Sequence, residues 1–292
     1  MRQLPRKIKG QIAYLIRSAS LLLPPRWGCL IINRSWPTRK PVLDYLEFHL
    51  ADHCNLNCAG CLHYAPFADP HLADINALRR DFNRLKAIFS NIRHIRIMGG
   101  EPLLHPNPAE AVRIVRDAFP KSNVRVVTNG LKLLDPNFEG RSEFLVALRE
   151  AGVGIDWTVY PPLVPRTPRM CDLCREHGVN LRITRNSSFM ARLLPSGGGA
   201  IKRSFRWCRR RLYCPLLDDG RIYPCAPARF APYYNKVAET KIYAEPGIDI
   251  YTANAREILL YLMNPSFACS WCAEGCRTFP WKADARPEDW VK

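Results

Sequence analysis

Cys54, Cys58 and Cys61 stand within eight positions of one another in the stretch CNLNCAGCLHY, with the spacing C-x3-C-x2-C. Thiolates are soft donors that suit iron–sulfur clusters and zinc alike. A four-iron cluster takes four ligands, so three cysteines leave one iron open to an outside group. A closed zinc site would need a fourth donor, which His53 or His63 could supply. On this stretch alone both chemistries remain open. About 40 residues on comes MGGEP, residues 98–102. Gly99 and Gly100 lack a β-carbon, so the backbone there can approach a ligand closely. Glu101 offers a carboxylate to a cation such as an amino group. A second set of cysteines, Cys208, Cys214, Cys225, Cys269, Cys272 and Cys276, falls in the last 85 residues.

The segments that must hold these residues alternate in character. Apolar runs at 42–50, 94–98, 123–130, 154–160 and 180–185 read as strands. Helical spacing recurs at 74–89, 107–119 and 168–178, the second opening with Asn107 as cap, Pro108 in the first turn and Glu110 three residues after the cap. Strand alternating with helix implies a parallel sheet, and ligands in such sheets bind beyond the carboxyl ends of the strands. The cysteine run, Gly-Gly-Glu and Thr128-Asn129-Gly130 each follow a strand directly, so they converge on one face. Near residue 187 the pattern changes to SSFMARLLPSGGGA, a linker or loop. The expected organisation is an N-terminal extension at 1–40, an α/β domain at 41–200 and a cysteine-rich domain at 201–292.

With 292 residues, the chain can bury a core without disulfide staples. Its twelve cysteines therefore point to metal binding in a reducing cytoplasm rather than to a secreted scaffold. The start is basic and then apolar, but Arg17 interrupts the run and no small-residue cleavage site follows. Ile8 to Leu23 is too short and too charged to span a bilayer. It suits an amphipathic helix that lies on an anionic membrane surface or packs against the protein body. The formal charge of +17 fits an anionic partner, and no nucleic-acid-binding signature is present.

The cysteine run followed by Gly-Gly-Glu resembles the radical S-adenosylmethionine (SAM) superfamily over residues 42 to 185. That resemblance implies a partial (βα)6 barrel in which the cysteine loop follows the first strand. It implies that Cys54, Cys58 and Cys61 hold a 4Fe-4S cluster whose open iron is chelated by SAM. Gly99, Gly100 and Glu101 would then bind the SAM amino group, and Thr128 and Asn129 its ribose or carboxylate. One departure stands out: Gly60 occupies the place where many members carry an adenine-facing aromatic, and His63 or Tyr64 would have to serve. The chemistry implied is reductive cleavage of SAM to a 5′-deoxyadenosyl radical that removes hydrogen from a substrate. An electron donor such as flavodoxin or ferredoxin is implied as partner.

Cys208-x11-Gly220-x4-Cys225 followed by Cys269-x2-Cys272 is similar to the SPASM and twitch extensions of such enzymes, which hold auxiliary 4Fe-4S clusters. The expectation is one auxiliary cluster on Cys208, Cys225, Cys269 and Cys272, with Cys214 and Cys276 as alternative ligands. Cys171 and Cys174, three apart on one helix face, are expected as packed free thiols, with a hydrogen-donor thiol as the alternative an epimerase would need, and Cys29 stands alone as an inert thiol. For the reaction, the expectation is oxidation or epimerisation of a sugar-like or phosphorylated small molecule. The alternatives are maturation of a ribosomal peptide or protein, and a metal-binding interaction protein without turnover.

Overall fold

Leu46, Phe48 and Leu50 of Val42–Ala51 lie in one apolar layer at the two-residue period of a strand. The computed structural model describes residues 23–33, 35–208 and 214–292, with Leu15 and Ala19. Strands β1 (Val42–Ala51), β2 (Asn91–Gly99), β3 (Asn123–Thr128), β4 (Gly154–Val159) and β5 (Leu181–Arg185) pair in order and in parallel. Helices α1 (Pro25–Ile32), α2 (Ile75–Ile88), α3 (Pro108–Ala118), α4 (Leu131–Leu134), α5 (Arg141–Glu150) and α6 (Thr167–Glu176) accompany them. Asp74 caps α2 by accepting from Asn76 N at 2.7 Å. Asn107 stands at the start of α3 as expected, but its side chain makes no capping bond.

One face of the sheet is apolar. Leu46, Phe48, Ile95, Ile97, Val126, Ile155 and Trp157 are buried there with α2, α3 and α5. Phe82 of α2 meets Phe48 edge-on at 5.3 Å, the geometry that aromatic quadrupoles favour. The alternate residues of the same strands point to the other face, where a charged layer forms. Asp156 is buried there and takes Arg125, Arg182 and, at 3.6 Å, Arg96. One buried carboxylate thus pairs with three guanidinium groups, of which Arg96 and Arg125 also bond backbone oxygens.

The chain after residue 187 differs from the expected linker. Ser188–Leu193 is a strand, β6, and it pairs antiparallel with β10 (Cys272–Pro280), Phe189 opposite Phe279 and Leu193 opposite Cys272. A partner so distant in the chain leaves no local periodicity to read. Beyond it come α7 (Ile201–Trp207), β7 (Leu216–Asp218), β8 (Arg221–Tyr223), α8 (Ala226–Ala238), β9 (Ile248–Asp249) and α9 (Ala255–Met263). Strand β7 pairs in parallel with β1, and β8 and β9 continue the sheet antiparallel. The sheet order is β5-β4-β3-β2-β1-β7-β8-β9. Segments on both sides of residue 200 thus share one sheet. The α/β partial barrel has a sixth parallel strand, but it is the short β7 on the β1 edge rather than one beyond β5.

The stretch 8–23 lies outside the described residues, apart from Leu15, Ala19 and Leu23. Among the described residues no helix is long and apolar enough to cross a membrane. Cys29 is buried against α9, its thiol 3.8 Å from Leu259 O. Replacing Asp156 with alanine removes the buried carboxylate that Arg96, Arg125 and Arg182 share. We expect Asp156→Ala to lower stability by about 3–5 kcal/mol, read from urea denaturation of the two proteins.

Candidate functional site

The exits of β1, β2 and β3 are tied into one floor. A register shift between His49 and Ala51 brings the end of β1 against the turn after β2. Gly100 N donates to Ala51 O at 2.8 Å, and Glu101 N donates to His53 O at 3.0 Å. The two glycines are required by this contact. A β-carbon on Gly99 would lie 2.2 Å from Ala51 O, and one on Gly100 2.2 Å from His53 O. The close approach is therefore to the exit of β1, not only to a ligand as the sequence suggested.

Glu101 is fully buried, 0% exposed, and its carboxylate is turned inward. One oxygen accepts from Thr128 Oγ1 at 2.6 Å and Leu103 N at 3.1 Å; the other accepts from Asn129 N at 2.8 Å. Burial pushes its pKa up to about 7, and the three donors offset part of that cost. The carboxylate expected to meet an amino group instead clamps the turn after β3 to the turn after β2. Its reason is the fixed position of Thr128 and Asn129, which offer hydroxyl and amide donors at the right reach. Trp157, fully buried on β4, adds an indole donor to Asn129 O at 2.8 Å.

Above this floor opens a cavity of about 310 Å3. Cys54, Cys58 and Cys61 line it together with Gly99, Gly100, Thr128 and Asn129. Met98, Val127 and Thr158, from the strand face opposite the helices, close its base. Cys54 Sγ receives Leu56 N at 3.3 Å and Asn129 Nδ2 at 3.6 Å. Cys58 Sγ receives Trp281 Nε1 at 3.1 Å. Burial pushes the Cys58 thiol up to about 11, and the Trp281 bond pulls the other way. Burial and the nearby Glu101 raise the Cys54 thiol as well.

Three soft donors on one wall of a cavity this size fit a cluster with a bound small molecule. Among the described residues no three His, Cys, Asp or Glu side chains are gathered around one point as for a single metal ion. A cluster needs no such point, because each thiolate takes a different iron. His63 Nδ1 is bonded to His49 Nε2 at 2.7 Å, which leaves its Nε2 as the nitrogen that faces other groups. His53 Nδ1 is buried with no hydrogen-bond partner among the described residues.

Tyr64 does not face this cavity. Its ring is buried against Tyr234 at 5.4 Å and Trp290 at 6.1 Å, drawn there by the aromatic cluster under the C-terminal segment. His63 does line the cavity. The missing aromatic at Gly60 has a steric reason. The backbone there has φ +72°, and a β-carbon would sit 2.8 Å from the Phe279 ring. Phe189 and Tyr160 supply aromatic wall from other elements.

The second cysteine group also comes together. Cys208, Cys225, Cys269 and Cys272 line one cavity of about 60 Å3. Burial, then the charge of Cys272, with Cys208 and Cys269 adding to it, holds the Cys225 thiol well above its ordinary value. Gly220 forms the β7–β8 turn with φ +70°. Four thiols so placed fit a fully ligated cluster. Cys214 lines an adjoining cavity of about 60 Å3 with Cys208, Cys225 and Cys272. Cys276 is exposed and turned toward Met190 Sδ at 3.5 Å, because β10 carries it past the group. Cys174 is buried on α6 beside Cys171, away from both groups.

Sequence reasoning missed the residues that reach the site from afar, Trp281, Trp290 and Tyr160, and the nearby His49–Asp52 pair, whose Nδ1 and Oδ1 are 2.8 Å apart. Only a buried histidine two places from another inward residue of β1 hinted at the last.

Residues 49–181 match the profile of the Radical SAM superfamily. A GTP 3′,8-cyclase of Microcystis aeruginosa is 34% identical over 117 residues, 39% of this chain and 35% of that protein. That of Chlorobaculum tepidum is 35% identical over 114 residues, 38% of this chain and 31% of that protein. The chain spans about a third of the length of these curated relatives. Among solved structures, BtrN in complex with AdoMet and 2-DOIA has a TM-score of 0.49 at 16% identity, covering 81% of this chain and 94% of that one. Enzymes of the matched superfamily use a 4Fe-4S cluster and SAM. The cysteine run, Gly-Gly-Glu and Thr128-Asn129 all fall inside the matched segment, so it is over residues 49–181 that the chain is similar to the radical SAM superfamily.

Proposed function

We propose that Cys54, Cys58 and Cys61 hold a 4Fe-4S cluster that binds SAM, and that the enzyme oxidises or epimerises a sugar-like or phosphorylated molecule. The observation that carries this reading is the single cavity shared by the three thiols, the two glycines and Thr128-Asn129 at the strand exits. When bound, the cluster supplies an electron to the sulfonium of SAM, and the chemistry that follows removes a hydrogen atom from substrate.

The chain's own part is binding and orientation. The Gly99–Gly100 backbone and the Thr128–Asn129 turn would cradle the methionine end of SAM, held rigid from below by Glu101. His63, Tyr160 and Phe189 wall the remaining space and keep water from it. Cys208, Cys225, Cys269 and Cys272 would hold one auxiliary cluster, which would accept the electron left on the substrate once a hydrogen atom has been removed. The segment 201–292 then acts as a SPASM- or twitch-like unit, although it extends the main sheet. A flavodoxin or ferredoxin would reduce the SAM-binding cluster.

The charge of +17 supports an anionic substrate. So does the name of the relatives above, GTP 3′,8-cyclase, which marks a nucleotide as their substrate.

Deuterium transfer decides the substrate class. Candidate nucleotide sugars and sugar phosphates, deuterated at each ring carbon, are incubated with reduced enzyme and SAM. Deuterium in 5′-deoxyadenosine identifies the substrate; transfer only from a peptide would overturn the sugar reading. Anaerobic reconstitution is expected to give about eight irons per chain. Cys58→Ala should abolish SAM cleavage, whereas Cys225→Ala should lose about half the iron and keep uncoupled cleavage. Unchanged iron in Cys225→Ala would sink the auxiliary cluster. Glu101→Gln leaves Asn129 N facing an amide nitrogen, and we expect SAM to bind about tenfold more weakly by calorimetry, on the order of 1.4 kcal/mol.

A further inference from the structure

Trp281 follows β10 directly and lies 223 residues from Cys58 in sequence, yet its indole N–H donates to Cys58 Sγ at 3.1 Å. The indole is held from several sides. Trp281 N donates to Ser187 O at 2.9 Å, and Ala59 N, beside Cys58, donates to Lys282 O at 3.0 Å. The ring stacks on Tyr160, centroids 5.7 Å apart and planes 25° from parallel. Tyr160 stacks in turn on Phe189 at 6.0 Å. A donor fixed this firmly does not rotate away when the charge on sulfur changes. By contrast, Trp290 Nε1 donates to the backbone oxygen of Cys61 at 2.8 Å, which shapes the loop without touching a sulfur.

A hydrogen bond to a ligating thiolate draws electron density from the sulfur. The reduced cluster carries the greater negative charge, so the bond stabilises that state more than the oxidised one. We propose that Trp281 is a positioning residue of the cluster site: its N–H···S bond to Cys58 raises the reduction potential of the cluster bound there. This rests on the reading of Cys54, Cys58 and Cys61 as cluster ligands.

Trp281→Phe keeps an aromatic ring facing Tyr160 and removes the N–H donor. The full-length protein is reconstituted anaerobically and titrated with reductant, following the EPR signal that changes when SAM is added. The expected result is unchanged iron content and a midpoint potential shifted to more negative values. An unshifted potential at full iron content would overturn the inference and leave the cluster reading intact. Failure of the unaltered protein to form a cluster would bring down both. Should Trp281→Phe take up less iron, protein labelled with 15N in its tryptophan indoles decides. A 15N coupling to the reduced cluster, retained in Trp290→Phe, supports the bond; no coupling in the unaltered protein overturns it.

Discussion

One buried carboxylate organises the site. Glu101 gives up all contact with water to accept three donors, from Leu103, Thr128 and Asn129. Its own backbone N–H is committed to His53 O, one residue before Cys54. The exits of three strands therefore share one residue, and the positions of Cys54 and of the Gly-Gly and Thr-Asn turns are set relative to each other. Leaving a buried carboxylate unpaired is costly, so this arrangement is the one that folding selects. The cofactor cavity is the space left above that knot.

The C-terminal segment completes the site rather than standing beside it. Strand β10 begins at Cys272, within the four-thiol group, and ends beside Trp281, which bonds to Cys58. Its partner β6 supplies Phe189 and Met190 to the wall of the main cavity. Met190 and His63 also line the cavity next to Cys208, Cys225 and Cys272. The two cysteine groups are thus neighbours across a shared wall, which suits the proposed passage of an electron from substrate to an auxiliary cluster.

What could be read from sequence was what local spacing encodes. The five strands, three of their helices and the convergence of three motifs at strand exits follow from periodicity and chain order, whereas the helix Arg141–Glu150 was not read. The pairing of β6 with β10, and of β7 with β1, joins residues too far apart for any periodicity to register. The same limit explains the side chains that were misplaced. Tyr64 belongs to an aromatic cluster completed by Trp290, and Gly60 is small because Phe279 needs the room. Glu101 was recognised as important, but its inward turn depends on donors 27 and 28 residues away.

The claim on which the account rests is that the cysteine loop presents an open iron to SAM. The direct measurement is the EPR spectrum of the anaerobically reconstituted, reduced protein before and after SAM is added. One cluster signal is expected to change when SAM binds, and 5′-deoxyadenosine then to accumulate. A spectrum indifferent to SAM, or zinc bound in place of iron, would contradict it.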